Sequence, residues 1–268
     1  MNIQSILVAT DLSRHGAGAV QRAWQLANAH GASLQPVYMP RGLHDVPAVA
    51  ARTRGVDLVV LPYQRERSLA AYFRGQFVAR LLRECDCPVL VTRSANDAQY
   101  RRVLVAVDFT RRSEALARLG ADLAPSAELE LFHAISTRGE IRLRNAEATE
   151  QAVRAYRQQC VQHAQRRMLT LTDSFDARRN RFFTALGRGD PGRQIAVQQQ
   201  RSGADLVVVG KAPGSAWEDF LCGSVAQRVL GWAASDVLVV PHAHALAPAR
   251  ARVAGTGAHK LPAWDSGG

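Results

Sequence analysis

Short apolar runs punctuate this chain at Ile6-Leu-Val-Ala9, Leu58-Val-Val-Leu61, Val103-Leu-Val-Ala-Val107, Leu206-Val-Val-Val209 and Val237-Leu-Val-Val240. Runs with no polar alternation and many β-branched residues read as strands buried on both faces of a parallel sheet. Between them apolar positions recur at helical spacing. Val20, Ala23, Trp24 and Ala27 mark one helix, closed by Gly31, and Ala115, Leu116, Leu119 and Leu123 mark another. Ser13 and Thr110 stand where N-caps are expected. Further strands at Leu34–Met39 and Leu129–Ile135 complete two β-α-β units, which implies a parallel α/β sheet with right-handed crossovers.

The units repeat. Ile6-Leu-Val-Ala-Thr-Asp-Leu-Ser13 returns 97 positions later as Val103-Leu-Val-Ala-Val-Asp-Phe-Thr110. Asp57–Pro62 returns as Asp205–Gly210, and Pro88–Thr92 as Asp236–Val240, both 148 positions on. Two offsets mean one duplication with an internal difference of 51 residues. The longer copy carries an amphipathic helix at Ala146–Leu171, with Val153, Tyr156, Cys160, Ala164, Met168 and Leu171 on one face. A strand at Arg181–Leu186, a loop at Gly187–Gly192 and a helix through Ile195 and Val197 follow. The shorter copy passes from Met39 through a short helix at Val46–Thr53 to its Asp57 strand, so one helix and one strand are missing. Leu34–Met39 then becomes a sheet edge, which explains Pro36 inside it, since proline is tolerated at edges. The expected domains are 1–95 and 101–242. Residues 243–268 lack periodicity and read as a disordered tail.

Composition narrows the class. The 268 residues are 47% hydrophobic and 21% charged, a globular balance, and no apolar run approaches the roughly 20 residues of a membrane helix. With no secretory leader visible, a soluble cytoplasmic protein is expected. Cys85 and Cys87 are too close for a CxxC pattern, and Cys160 and Cys222 are isolated, so all four read as reduced thiols. The net charge of +11 is almost wholly arginine, lysine occurring only at Lys211 and Lys260. The densest cluster is Arg154, Arg157, Arg166, Arg167, Arg178, Arg179 and Arg181, most of it on a predicted helix where a solvated face is the plain reading. Aromatics make up only 6%, which argues against a base-stacking surface for nucleic acid.

The chemistry sits after the fourth strand of the longer copy, in Gly210-Lys-Ala-Pro-Gly214-Ser-Ala-Trp-Glu-Asp-Phe-Leu-Cys-Gly223-Ser224, which enters a helix at Val225–Trp232. Glycines there let backbone N–H groups approach a phosphate, and the helix N-terminus adds partial positive charge. With Val105-Ala-Val-Asp108 and Gly189-Asp190-Pro191, this segment resembles the universal stress protein family, whose pattern is G-x2-G-x9-G-[ST]. The resemblance covers about residues 3–93 and 101–242. It implies two Rossmann-like domains of the adenine nucleotide alpha hydrolase-like fold, with strand order 3-2-1-4-5 in the second.

It also implies a site. Asp108 would meet ribose or a phosphate-bound metal, the Ala134 backbone would meet adenine, and Gly210, Gly223 and Ser224 would take the phosphates. The implied ligand is ATP with Mg2+. The family's second glycine falls on Pro213, which has no N–H to donate, and Gly214 comes one place late. Two readings of the loop therefore stay open: Gly214 substitutes in a phosphate cradle, or the loop merely joins strand to helix. In the shorter copy the matching positions are Pro62, Arg65, Gly75 and Gln76, so no nucleotide is expected there, and Asp11 reads as a turn former.

The resemblance further implies antiparallel pairing of Pro88–Thr92 with Asp236–Val240, a pseudo-dimer within one chain, and leaves room for a homodimer. The expected function is a stress-response protein that binds an adenine nucleotide without dedicated catalysis, a weak ATPase at most. The alternative is an interaction module for a protein or polyanion. No catalytic or metal-ligating set is expected: His133 reads as a satisfied core histidine, and His242 and His244 as solvated.

Overall fold

The computed structural model describes residues 3–11, 13–39, 52–53, 55–63, 81, 84–93, 98–173, 182–211 and 225–241. Nine strands form one sheet: β1 (Ser5–Thr10), β2 (Ser33–Tyr38), β3 (Leu58–Pro62), β4 (Val89–Thr92), β5 (Arg102–Ala106), β6 (Glu128–Ile135), β7 (Phe182–Arg188), β8 (Leu206–Gly210) and β9 (Asp236–Val240). Their order is β2-β1-β3-β4-β9-β8-β5-β6-β7. The pairs are parallel except β4 with β9, where Leu90 opposes Leu238 in an antiparallel register. Counted within its own half, β5–β9 has the order 3-2-1-4-5. Among the described residues the β1–β4 half shows no strand outside β2, and β2 with Pro36 stands at the edge of the described sheet, where the sequence pattern expects it.

Among the described residues six helices accompany the strands: α1 (Arg14–His30), α2 (Arg112–Leu123), α3 (Arg138–Asn145), α4 (Glu150–Asp173), α5 (Pro191–Ser202) and α6 (Val225–Trp232). Side chains alternate across the sheet into two cores. On one face Leu104, Phe132, Val207, Val209 and Val239 pack with Ile195 of α5 and Val229 of α6. On the other, Val103, Val105, Leu206 and Val208 pack with Leu26 of α1, Leu116 of α2 and Met168 of α4. Helices on both faces bury the central strands throughout, which is why β3 and β9 carry no polar alternation.

Several local expectations are corrected. Ser13 does cap α1, its hydroxyl accepting from the Gly16 N–H at 3.1 Å, and Gly31 ends that helix in the left-handed region. Thr110 caps nothing. The N-cap of α2 is Arg111, without a side-chain bond, because the Thr110 hydroxyl is drawn to Asp108 instead. Trp24 points to solvent, 58% exposed, while Ala23 and Ala27 face the core. The expected helix at Ala146–Leu171 forms as α4, four residues late at its start, and a separate helix that the sequence did not announce, α3, precedes it. Glu147, at φ 54°, breaks the chain between α3 and α4. Helix α3 has no apolar stripe to announce it, since its one buried residue is Glu140. Strand β7 runs on through Gly187 and Arg188, and Asp190 caps α5 by accepting from the Arg193 N–H at 3.1 Å. The loop residues 212–224, most of the expected 46–53 helix and the 243–268 tail lie outside the described residues.

Candidate functional site

The switch point of the sheet lies at its carboxyl edge, between β5 and β8. From β5 the chain leaves through α2 on one face, whereas β8 is entered from α5 on the other. Strand order reverses there, and ligands of open α/β sheets bind at such switch points. Register places the edge residues. Asp108 lies two positions beyond the Ala106–Phe132 pair, level with Ala134 on β6. It also lies three beyond the Val105–Val208 pair, level with Lys211 after β8. Asp108, Ala134 and Gly210 therefore stand at the ends of three neighbouring strands along one edge. Gly214, Gly223 and Ser224 lie outside the described residues, as does Pro213.

A tight turn presents Asp108. Its Oδ1 accepts from the Thr110 N–H at 3.0 Å, the Thr110 hydroxyl at 2.6 Å and the Ser113 hydroxyl at 3.1 Å. The bond to the residue two ahead makes this an Asx turn. Asp11 makes the same turn in the other half, its Oδ1 accepting from the Ser13 N–H at 3.0 Å, so the turn is part of the duplicated unit. Phe109 takes the left-handed region at φ 59°, an uncommon and strained choice for a bulky residue. Its ring rests on His133, with centroids 4.2 Å apart.

Charge ties this edge together. Arg112 reaches from the first turn of α2 to place one nitrogen 3.3 Å from Asp108 Oδ2 and to donate another to the Lys211 carbonyl at 2.8 Å. One guanidinium so ties the end of β5 to the end of β8. The Arg112 side chain is only 11% exposed, and that of Asp108 is 55% exposed. Burial alone would raise the Asp108 pKa, but the Thr110 and Ser113 hydrogen bonds and the Arg112 charge outweigh it and hold the carboxyl below its ordinary range. No sequence signal separates Arg112 from its many neighbours of the same type, because its role depends on a carbonyl 99 residues away.

His133 Nδ1 lies 2.8 Å from the Val107 carbonyl, which can only accept, so Nδ1 carries the proton. Burial lowers its pKa and outweighs the raising effects of that bond and of Asp108. The ring is thus a half-buried packing element beside the site. Gly210 packs closely, since a Cβ there would sit 3.0 Å from Leu116 Cδ1 and the leucine end would have to give by a few tenths of an ångström. Among the described residues no three His, Cys, Asp or Glu side chains converge to hold a metal ion.

A continuous, mostly parallel sheet covered on both faces, with charged residues at its switch point, defines a Rossmann-like α/β protein of the nucleotide-hydrolase-like kind. The universal stress protein family model matches residues 44–93 and 99–241, and the chain belongs to that family. Solved structures agree on the fold. A universal stress protein from Archaeoglobus fulgidus covers 90% of this chain and 99% of its own at 12% identity, with a TM-score of 0.58. A functionally unknown protein from Pseudomonas aeruginosa covers 91% and 94% at 20% identity, with a TM-score of 0.55. None of the curated proteins matches the chain. Among the described residues no helix is long and apolar enough to cross a membrane.

Proposed function

We propose that this chain is a stress-response protein of the cytoplasm that binds an adenine nucleotide, ATP in the first instance, at the switch point between β5 and β8. It does so without a dedicated reaction. The observation that carries the reading is the levelling of Asp108, Ala134 and Lys211 across three strands at the switch point. That edge offers a carboxylate for ribose hydroxyls, free backbone at the end of β6 for a flat base, and the root of a glycine-containing loop for phosphates. In this reading residues 101–242 form the binding domain, with Gly210, Gly214, Gly223 and Ser224 at the phosphates. Residues 1–95 form a supporting domain that docks through the antiparallel β4–β9 pair as an internal pseudo-dimer.

The test begins with freshly purified full-length protein, extracted for bound nucleotide and then titrated with ATP and magnesium by calorimetry. One site per chain is expected, weakened at least tenfold in Asp108→Ala and abolished in Gly223→Val. Absence of binding at millimolar ATP overturns the reading. Salt-sensitive binding to RNA or DNA in its place would identify an interaction module for polyanions.

A further inference from the structure

Helix α3 is anchored by a carboxylate. Glu140, its one buried residue, lines a cleft of about 240 Å³ between α3, α4 and the ends of β6 and β7. Ser136, Tyr156, Arg157, Cys160 and Arg188 line it as well. Donors dominate that lining, and Glu140 is the one carboxylate in it. Both its oxygens are engaged: Arg157 donates to Oε1 at 2.6 Å, and Arg188 donates to Oε2. Arg157 Nε is shut off from solvent and has no acceptor. A buried donor left in that state loses its hydration without compensation, and in a native structure it points to an ion or a water beside it. The Ser136 hydroxyl accepts from the Arg138 N–H at 3.3 Å, so its own proton lies outside that bond.

Charge agrees with the donor excess. Arg144 places a third guanidinium 3.6 Å from Glu140 Oε1. Three positive groups around one carboxylate leave two positive charges uncompensated. A phosphate group carries about −1.5 to −2 at neutral pH and presents several strong acceptor oxygens, which guanidinium forks match in geometry. The cleft is smaller than the roughly 300 Å³ at which pockets for drug-sized ligands begin, so it suits one small oxyanion rather than a whole nucleotide.

We propose that the cleft between α3, α4 and β7 is a ligand site of its own, which takes a phosphate group on Arg157 and Arg188. The group is either free phosphate or the end of a small molecule whose remainder lies outside the cleft. Glu140 holds the two guanidiniums in place and, through its charge, weakens the site. The site is independent of the nucleotide reading, which puts its phosphates at the end of β8, across β5 and β6 from β7.

The experiment titrates the full chain by calorimetry with inorganic phosphate and, separately, with glycerol phosphate. One site of millimolar or tighter affinity is expected, and the tighter of the two ligands identifies the source of the group. Arg188→Gln should weaken binding at least tenfold, and Arg157→Lys, which keeps the charge but loses the buried Nε, should weaken it too. Glu140→Gln should tighten it severalfold, because a negative charge leaves the cleft. Arg166→Gln, exposed on α4 away from the cleft lining, should leave it unchanged. Phosphate should also slow alkylation of the Cys160 thiol by iodoacetamide, read at that residue by mass spectrometry. Thermal melts of each variant check that the fold survives. No phosphate binding by the parent chain, or binding that Arg188→Gln and Arg157→Lys leave intact, would overturn the inference. Either result leaves the nucleotide reading to its own ATP titration.

Discussion

The Tyr100 hydroxyl donates to Asp236 Oδ2 at 2.7 Å, a bond between residues 136 positions apart that neither shares with solvent. Around it, Arg22 of α1 sets its Nε 3.4 Å from the same oxygen and lays its guanidinium 4.3 Å above the Tyr100 ring. The other oxygen, Oδ1, accepts from the Arg93 N–H at 2.7 Å. One carboxylate at the start of β9 thus gathers α1, the end of β4 and the connection leading to β5. Removing one partner of a buried ion pair leaves the other charge without compensation, at a cost of about 3–5 kcal/mol. Asp236→Ala should lose that much in urea unfolding, and Tyr100→Phe about 1 kcal/mol. A loss under about 1 kcal/mol in Asp236→Ala would remove this cluster from the account of how the halves hold together.

Alkali provides a second test of the same tyrosine. Burial, and then the Asp236 charge, raise the Tyr100 pKa well above its ordinary value. The folded state keeps a proton that the unfolded chain releases near pH 10. The stabilisation is therefore complete below about pH 10 and declines as pH climbs toward the folded value. Stability measured from pH 9 to 11.5 should fall less steeply in Tyr100→Phe than in the parent chain. Parallel slopes would contradict the assignment.

Acid should act through Glu140. Hydrogen bonds from Arg157 and then Arg188 lower its pKa to about 2, against the desolvation that opposes them. The bond to Arg157 measures 2.6 Å, and Arg188 of β7 binds the other oxygen. For a depressed carboxyl the stabilisation is present above the unfolded value, near 4.3, and is lost as pH falls through the folded value. Thermal melts between pH 5 and 2 should show a decline that Glu140→Gln flattens, with α3 loosening first in hydrogen exchange. Identical acid profiles for the two proteins would sink the idea.

Gly187 tests packing at the same end of β7. A Cβ there would fall 2.5 Å from Phe132 Cζ, and Phe132 is among the largest fully buried side chains. Overpacking of this kind costs about 1–3 kcal/mol, so Gly187→Ala should lower stability by that amount in denaturant titration. An unchanged midpoint would mean that the ring has room to move.

The duplication gives paired aspartates the same task. Asp57 Oδ2 accepts the Gln4 and Ser5 N–H groups at 2.9 and 3.0 Å, and Asp205 accepts those of Arg101 and Arg102 at 2.8 and 3.1 Å. Each ties the start of its half's first strand to the segment before a neighbouring strand. Asp57→Ala and Asp205→Ala should cost similar amounts, about 1–3 kcal/mol, because each orphans two backbone donors. A large asymmetry in unfolding measurements would show that the two halves no longer use the pair alike.

The sequence by itself determined the strands, their parallel pairing within each half and the edge position of β2. Those features are written in local patterns: uninterrupted apolar runs, helical periodicity, glycine at a C-cap and repetition at two offsets. It also marked Asp108, Ala134 and Gly210, whose shared edge follows once strand order is known. Helix α3 escaped, because a helix anchored by one buried glutamate among arginines has no apolar period to read. Arg112, Arg22 and Tyr100 escaped for a related reason. Their partners lie far away in sequence, and 32 arginines look alike until the sheet brings one against an aspartate and a strand-end carbonyl. Periodicity reports what a segment buries. Only the closed tertiary structure decides which buried charges meet.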